Sequence, residues 1–453
     1  MSIARTLADY VTQTAYADLP DQAVDHAAMM IASTIASAAG GKKIQSAAII
    51  RDLVQERGGR PDATVWFESG ARLPAAYAAR VNAVMSDAAA SDDSDLRNIT
   101  HAGTPLTATS LAIAERTGAS GADVLAAMVL GYEVAGRIGE SITPGFRQRG
   151  FHACLVASFS AAVAAGRLLG LDAGQMTHTI ALNATSVGGL IAAANTSVAR
   201  EYHAGLATML GVDAAMAAQR GFTGEVDIIE MPLGFCATYG GAPCAGGMGA
   251  AEILLNWGAE WDIITDMAIK LVPGSHFQHA MAEAAANAAR KGNIAPDDVV
   301  SITLSRPGMT ALDGPSHPEN LIDMAHSPHY FMAAGVADHE FTWAHATPEK
   351  IADPVIHRLI DKVQIGPEPT ENVAAYRQGA TVTIETTDGR SVADTVLVPN
   401  GAGCRGIDWA DIDAKYRTLA PAALNAQQIE GSLAVIHDFR QVLNVSALTG
   451  LLA

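Results

Sequence analysis

The chain has 453 residues, of which 49% are hydrophobic and 17% charged, and this length predicts two or three domains rather than one compact core. The formal net charge of −18 argues against a nucleic-acid-binding protein, which requires a basic surface. An anionic small molecule is compatible with this balance, provided that arginine, lysine and histidine side chains form a local pocket for it.

The first twenty residues lack a cationic stretch followed by an apolar one, so we expect no secretory signal. No uncharged apolar run reaches the roughly 18 residues of a membrane span. The cysteines show no CxxC spacing, which is typical of free thiols in a reducing compartment; they are Cys154, Cys236, Cys244 and Cys404. These features predict a cytoplasmic protein.

Up to about residue 265 the apolar residues recur at helical spacing almost throughout. A helix start is indicated at Thr104-Pro105, and later segments such as HACLVASFSAAVAAGRLLG are apolar nearly all round. Such segments are typical of central, buried helices.

The pattern changes after residue 267. DDVVSITLSRPG, from Asp297, alternates like a strand, and ATVTIETTDGRSVADTVLVP predicts a hairpin around Asp388-Gly389. A helical tail resumes near residue 405. We therefore predict a mainly α fold, with a large discontinuous all-helical domain and a smaller α+β domain inserted into it. The predicted bounds are 1–267 with 400–453, and 268–399.

The common cofactor and metal motifs are missing from the sequence, including the phosphate-binding loop, HExxH and the EF-hand loop. The glycine-rich stretch at 240–249 does not follow a strand, so we interpret it as a plain loop. His276/His279 and His326/His329 have ligand-like spacings, but neither pair has carboxylate ligands beside it. We therefore predict no metal.

Polar side chains instead collect at the boundaries of the predicted elements. One histidine is usually structural, but several at such boundaries predict a ligand pocket between domains, where helix N-termini attract carboxylates. The run SDDSD at 91–95 is interpreted as a solvated capping loop, although one of its carboxylates could reach a site that includes His101. The boundary residues are His101, His152, Arg200, His203, Lys270, His276, His279 and Tyr330.

Several stretches resemble the MmgE/PrpD family, which includes 2-methylcitrate dehydratase, cis-aconitate decarboxylase and iminodisuccinate epimerase. They are GFHACLVASFSAAVAAGRLLGLD, REYHAGLATMLGVDAAMAAQRGFTG, KLVPGSHFQH, HSPHY and GATVTIETTDGRS. The resemblance implies a helical domain with a smaller α+β lid, a homodimer, and an active site in the cleft between the domains that needs no cofactor.

By position, His101, His152, Lys270 and Tyr330 fall where the family places active-site groups. His203 and His279 match further family histidines.

Three parts of the family pattern differ here. In the family stretch His-x-x-Asp-x-Asp-Asp, Asp87 stands at the histidine and Ala90 at the first aspartate. The family's lysine is Arg200, which can bind a carboxylate but does not readily act as a base. Ser275 occupies a position where the family often has cysteine.

The family reactions cleave a bond next to a carboxylate, which requires a base and fixed cations where negative charge develops. We assign to His152 proton transfer or a hydrogen bond to the substrate, with the other catalytic histidine, His101, on the opposite side of the bound ligand. Lys270 holds or polarises a carboxylate, and Tyr330 donates a proton or a hydrogen bond to a leaving hydroxyl. The predicted substrate-binding residues are Arg200, His203, His276, His279, Arg149 and Asp93. The leading hypothesis is a hydro-lyase acting on a small di- or tricarboxylate. An epimerase and a decarboxylase remain alternatives, and a non-catalytic carboxylate-binding protein is a third hypothesis.

Overall fold

The computed structural model describes residues 2–241 and 249–453. The glycine-rich stretch at 240–249 therefore lies mostly outside the described residues, and so does Cys244. The architecture is mainly α, as predicted. The chain divides into two compact units, Met1–Ile269 with Asp408–Ala453, and Lys270–Ile407.

The first unit is built from helices that bury small apolar side chains. Up to Ile269 its α-helices are α1 (Ile3–Gln13), α2 (Asp21–Gly41), α3 (Gln45–Arg57), α4 (Ala75–Ala88), α5 (Gly103–Thr117), α6 (Gly121–Ser141), α7 (Gly145–Gln148), α8 (Cys154–Leu168), α9 (Ala173–Thr185), α10 (Ile191–Thr196), α11 (Ala199–Gln219) and α12 (Asp262–Thr265). Two short antiparallel pairs accompany them, β1 (Ala63–Thr64) with β2 (Arg72–Leu73), and β3 (Asp93–Asp95) with β4 (Met267–Ile269).

Helix α8 lies at the centre of this unit and packs against α5, α6 and α11. Close packing depends on glycine: a Cβ on Gly131 of α6 would lie 2.8 Å from the Ser160 carbonyl oxygen of α8. A Cβ on Gly211 of α11 would lie 2.6 Å from the Ala162 nitrogen. The buried, all-round apolar helix that the sequence predicts is therefore confirmed.

The acidic run 91–95 is buried, with no residue more than 2% exposed, so its interpretation as a solvated loop is wrong. Its last three residues form β3 and pair with β4, more than 170 positions away. The side chains of Ser37 and Lys415 both donate to the Ser91 carbonyl oxygen. Long-range pairing and buried donors thus take the place of water.

The second unit combines one sheet with helices. Its strands are β5 (Val299–Ser305), β6 (Val363–Ile365), β7 (Ala380–Thr386) and β8 (Ser391–Val396), in the order β6-β5-β7-β8, with β5 and β6 parallel and the other pairs antiparallel. Its α-helices are α13 (His276–Gly292), α14 (Leu321–Ala325), α15 (Pro328–Asp338), α16 (Pro348–Ile351) and α17 (Pro354–Ile360).

The predicted strand after Asp297 and the predicted hairpin are both confirmed. Gly389 has a φ of +85°, a conformation that favours glycine, in the turn between β7 and β8. Along β7, Ala380, Val382 and Ile384 are buried at alternate positions and contribute to the core with α13 and α15.

The tail returns to the first unit as α18 (Trp409–Leu419), α19 (Ala426–His437) and α20 (Ser446–Thr449). Lys415 of α18 is buried, and its Nζ donates to the Ser33 hydroxyl of α2 at 2.7 Å. Among the described helices, none is both long enough and apolar enough to cross a membrane.

Candidate active site

His152 lies two residues before α8 and is held there by backbone pairing. Its N–H donates to the Gly189 carbonyl at 3.0 Å, and Phe151 pairs with Leu190. The imidazole is partly buried, and its Nδ1 has no hydrogen-bond partner among the described residues. The side chain is thus fixed through its backbone, while a ring nitrogen remains able to act on a ligand.

The surroundings of His152 favour its neutral form. Burial lowers the pKa of His152 well below its usual value, and the charges of His101, His203 and two arginines lower it further. A neutral imidazole has one nitrogen able to accept a proton, which is what a general base requires.

His101 is oriented by the acidic run. Its Nδ1 lies 2.6 Å from the Asp93 carbonyl oxygen and 3.1 Å from Asp92 Oδ2. Because a carbonyl only accepts, Nδ1 carries the hydrogen in this contact, and Nε2 is the nitrogen that can exchange a proton with a ligand.

Asp93 was predicted as a substrate-binding residue. In the structure its backbone carbonyl accepts from His101. Its carboxylate accepts from the Gly103 N–H at 3.0 and 2.9 Å, at the start of α5. With 2% exposure and bonds on both its backbone and its side chain, Asp93 is placed to position His101.

Asp87 and Arg200 form a pair in the first unit. Arg200 Nε donates to Asp87 Oδ2 at 2.8 Å, and Nη2 donates to the Asp87 carbonyl at 2.6 Å. Burial lowers the pKa of Arg200, but the neighbouring carboxylates, Asp87 first, outweigh it and raise the pKa overall. Nη1 makes no hydrogen bond within the described residues.

The structure brings three of the predicted residues of the first unit to one place. His101, His152 and Arg200 line a single small cavity, together with Asp87, Pro105, Cys154, Ala157 and Ala204. His203 lies next to them, with its ring centroid 5.3 Å from that of His152. A cavity of about 300 Å³, lined in part by Cys154 and His203, adjoins this place.

Two arginines precede α8, and the one whose charge acts on His152 is Arg147 rather than the predicted Arg149. Arg149 is exposed, whereas Arg147 Nε is buried and has no hydrogen-bond partner among the described residues. Burial lowers the pKa of Arg147, and its charge acts on His152. The sequence contained both arginines, but its pattern did not show which one faces inward.

The remaining predicted residues lie in the second unit. Lys270 directly follows β4 and is buried. His276 and His279, in the first turn of α13, are buried with ring centroids 4.6 Å apart, and His279 lines a cavity of about 330 Å³ with Glu283 and Arg290. In the described part of the chain, neither His276/His279 nor His326/His329 belongs to a group of three close metal ligands.

Tyr330 is fully buried in the core of the second unit. Its hydroxyl donates to the His345 carbonyl at 2.9 Å, and burial raises the pKa of the phenol. This bond satisfies the buried hydroxyl, which gives the tyrosine a structural role. Its role as a proton donor stays a prediction.

Comparisons with known proteins find the same family in the N-terminal and in the C-terminal part of the chain. A model described as the MmgE/PrpD N-terminal domain matches residues 5–245, and one described as the MmgE/PrpD C-terminal domain matches residues 273–438. Cis-aconitate decarboxylase of Homo sapiens is 25% identical over 463 residues, covering 100% of this chain and 94% of the relative. The Mus musculus protein of the same name is 27% identical over 404 residues, covering 86% and 80%. A cis-aconitate decarboxylase-like protein of Aspergillus oryzae is 26% identical over 349 residues, covering 73% and 71%.

Proposed function

Because the chain belongs to the MmgE/PrpD family, we propose that it is a lyase acting on a small di- or tricarboxylate. Its reaction is the decarboxylation of an unsaturated acid of the cis-aconitate class. The observation that carries this proposal is the convergence of His101, His152 and Arg200 on one cavity.

Decarboxylation breaks a carbon–carbon bond, releases CO₂ and leaves an electron pair on the remaining acid. One proton must then be delivered to carbon, while fixed cations hold the carboxylates that remain. His101 and His152 are the proton-transfer groups, and Arg200 Nη1 and Arg147 bind carboxylates. The histidine that delivers the proton to carbon takes a new one from water after each turnover.

Residues of the second unit complete the proposal. Lys270 binds a carboxylate, and His276 and His279 contribute hydrogen bonds to the substrate. Their residue types fit this role because ammonium and imidazole groups attract small multiply charged acids.

Two observations favour decarboxylation over dehydration, the reaction that the sequence favoured. The relatives named above are decarboxylases or decarboxylase-like. In addition, dehydration needs an acid for the leaving hydroxyl, and the Tyr330 hydroxyl assigned to that task donates to His345. Dehydration and epimerisation are the alternative outcomes of the test below.

The test is to incubate the purified protein with cis-aconitate, citrate, 2-methylcitrate and tartrate in deuterated water. We expect CO₂ release from cis-aconitate, with one solvent deuteron on a carbon of the product. An alkene formed without CO₂ would identify a dehydratase, and deuterium exchange without conversion would identify an epimerase. Binding with no reaction would leave a non-catalytic carboxylate-binding protein. The predicted homodimer is checked by light scattering on the same sample.

A further inference from the structure

Three side chains beside α8 have a geometry that proton transfer does not require. His152, Cys154 and His203 each offer one ligand atom, and these atoms all lie within 4.8 Å of one another. Cys154 is the first residue of α8, His152 lies two residues before that helix, and His203 lies near the start of α11. Two imidazole nitrogens and a sulfur are thus held together by two helices that pack against each other.

The space between these atoms is kept open by a glycine. A Cβ on Gly189 would lie 2.6 Å from Cys154 Sγ and 3.3 Å from His203 Nδ1, so any larger residue would intrude between them. Gly189 has a φ of +131°, which also favours glycine there.

The two imidazoles have nitrogens without a partner. His152 Nδ1 and His203 Nδ1 are buried and make no hydrogen bond within the described residues. Buried polar atoms are normally satisfied, and one that is not requires an explanation such as an ion. The Cys154 thiol donates to the Gly188 carbonyl at 3.1 Å.

We propose that His152, Cys154 and His203 form a binding site for a thiophilic divalent cation, with Zn²⁺ as the best fit. Two imidazoles and one thiolate supply three ligands of a tetrahedron, and water entering from the adjoining 300 Å³ cavity supplies the fourth. Magnesium and calcium prefer oxygen ligands and are excluded by this set.

The geometry needs only a small adjustment. Zinc–nitrogen and zinc–sulfur bonds of about 2.0–2.3 Å place the ligand atoms of a tetrahedron about 3.5 Å apart. Atoms that lie up to 4.8 Å apart therefore close by up to about 1.3 Å, which side-chain rotation provides. On binding, the Cys154 thiol loses its proton to solvent and exchanges its bond to Gly188 for a bond to the metal.

Occupation of this site has a consequence for the chemistry. The ion takes a lone pair of His152, the imidazole to which we assign proton transfer, so the metal-bound protein is inhibited. That consequence rests on the proposed function; the binding itself does not.

Cobalt(II) is the probe for the site, because its spectrum reports both sulfur ligation and tetrahedral geometry. We expect titration of the chelator-treated full chain to give a near-ultraviolet sulfur-to-cobalt band and strong visible bands, saturating at one ion per chain. Added Zn²⁺ should displace them. Absence of the sulfur band would overturn the proposal.

Matched variants identify the ligands. Cys154→Ser should abolish the sulfur band, whereas Cys404→Ser, at the exposed thiol of the second unit, should leave it unchanged. His203→Asn should weaken Co²⁺ binding by tenfold or more, which provides a second readout if Cys154→Ser does not fold. A sulfur band that persists in folded Cys154→Ser, or unchanged affinity in His203→Asn, would contradict the assignment. Because the readout is absorbance, its outcome is independent of whether the chain decarboxylates any acid.

Discussion

Arg200 and Asp87, which the sequence analysis names as two departures from the family pattern, are bonded to each other: Arg200 Nε donates to Asp87 Oδ2 at 2.8 Å. The two side chains therefore form one buried ion pair. An arginine in this place requires a carboxylate beside it, since both side chains are largely buried.

Asp87 and Arg200 should contribute to stability as a coupled pair. Asp87→Asn leaves the Arg200 charge without its partner and should lower the free energy of unfolding by about 3 kcal/mol. The double variant Asp87→Asn/Arg200→Met should lose clearly less than the sum of the two single variants. Urea unfolding of all four proteins measures the coupling, and additive losses would mean that the pair is not coupled.

His152→Asn should reduce kcat by about 10²–10⁴-fold with the fold intact, because the proton-transfer group is gone while its size is nearly kept. The control is His317→Asn, at an exposed histidine of the second unit, which should behave as the wild type. Circular dichroism establishes folding. Full activity in His152→Asn would make the histidine structural.

Arg147 and Arg149 offer a matched comparison. Arg147→Met should raise KM about tenfold or more, since a charge-assisted bond to a carboxylate is worth roughly 1.5–3 kcal/mol. Arg149→Met, at the exposed arginine two positions later, should leave KM unchanged. Steady-state kinetics on both variants gives the two KM values. An equal change in KM would mean that Arg147 does not bind the substrate.

Asp93→Ala should lower kcat more than it raises KM. The variant loses the bonds from the Asp93 carboxylate to the Gly103 N–H, so the segment that orients His101 is less well held. A loss of about 1 kcal/mol of stability is also expected, as for a lost helix cap. Asp93→Asn keeps an acceptor oxygen and should restore most of the kcat. A change in KM alone would instead indicate direct contact with substrate.

Chelator treatment should not lower activity, because the proton transfers are assigned to side chains. If the preparation carries metal, its removal should raise kcat by freeing His152. Activity per chain before and after dialysis against a chelator, with metal content measured on both samples, checks this. Activity that is lost and then restored by Zn²⁺ would make the metal part of the chemistry.

Some of the structure was predictable because it depends on short-range pattern. Apolar spacing identified the buried helix α8, and alternation around Asp388-Gly389 identified the β7–β8 hairpin. The family was recognisable because its motifs, such as GFHACLV and REYHAGL, are contiguous.

The acidic run shows where such reasoning fails. SDDSD contains no apolar residue, and a local pattern of this kind indicates solvent. The run is buried because β4 pairs with it and Lys415 of α18, more than 300 positions later, donates to its backbone. Its partners cannot be identified from the run itself.

The sequence by itself determined the fold class, the family and the residue types available for the chemistry, because these depend on local periodicity and contiguous motifs. Only the tertiary structure decided that Arg147 rather than Arg149 turns inward, that Asp87 pairs with Arg200, and that Cys154 lies beside His203. The physical reason is that charge pairing and metal ligation act over a few ångströms of space. Helix packing sets those distances between residues that are tens to hundreds of positions apart in the chain.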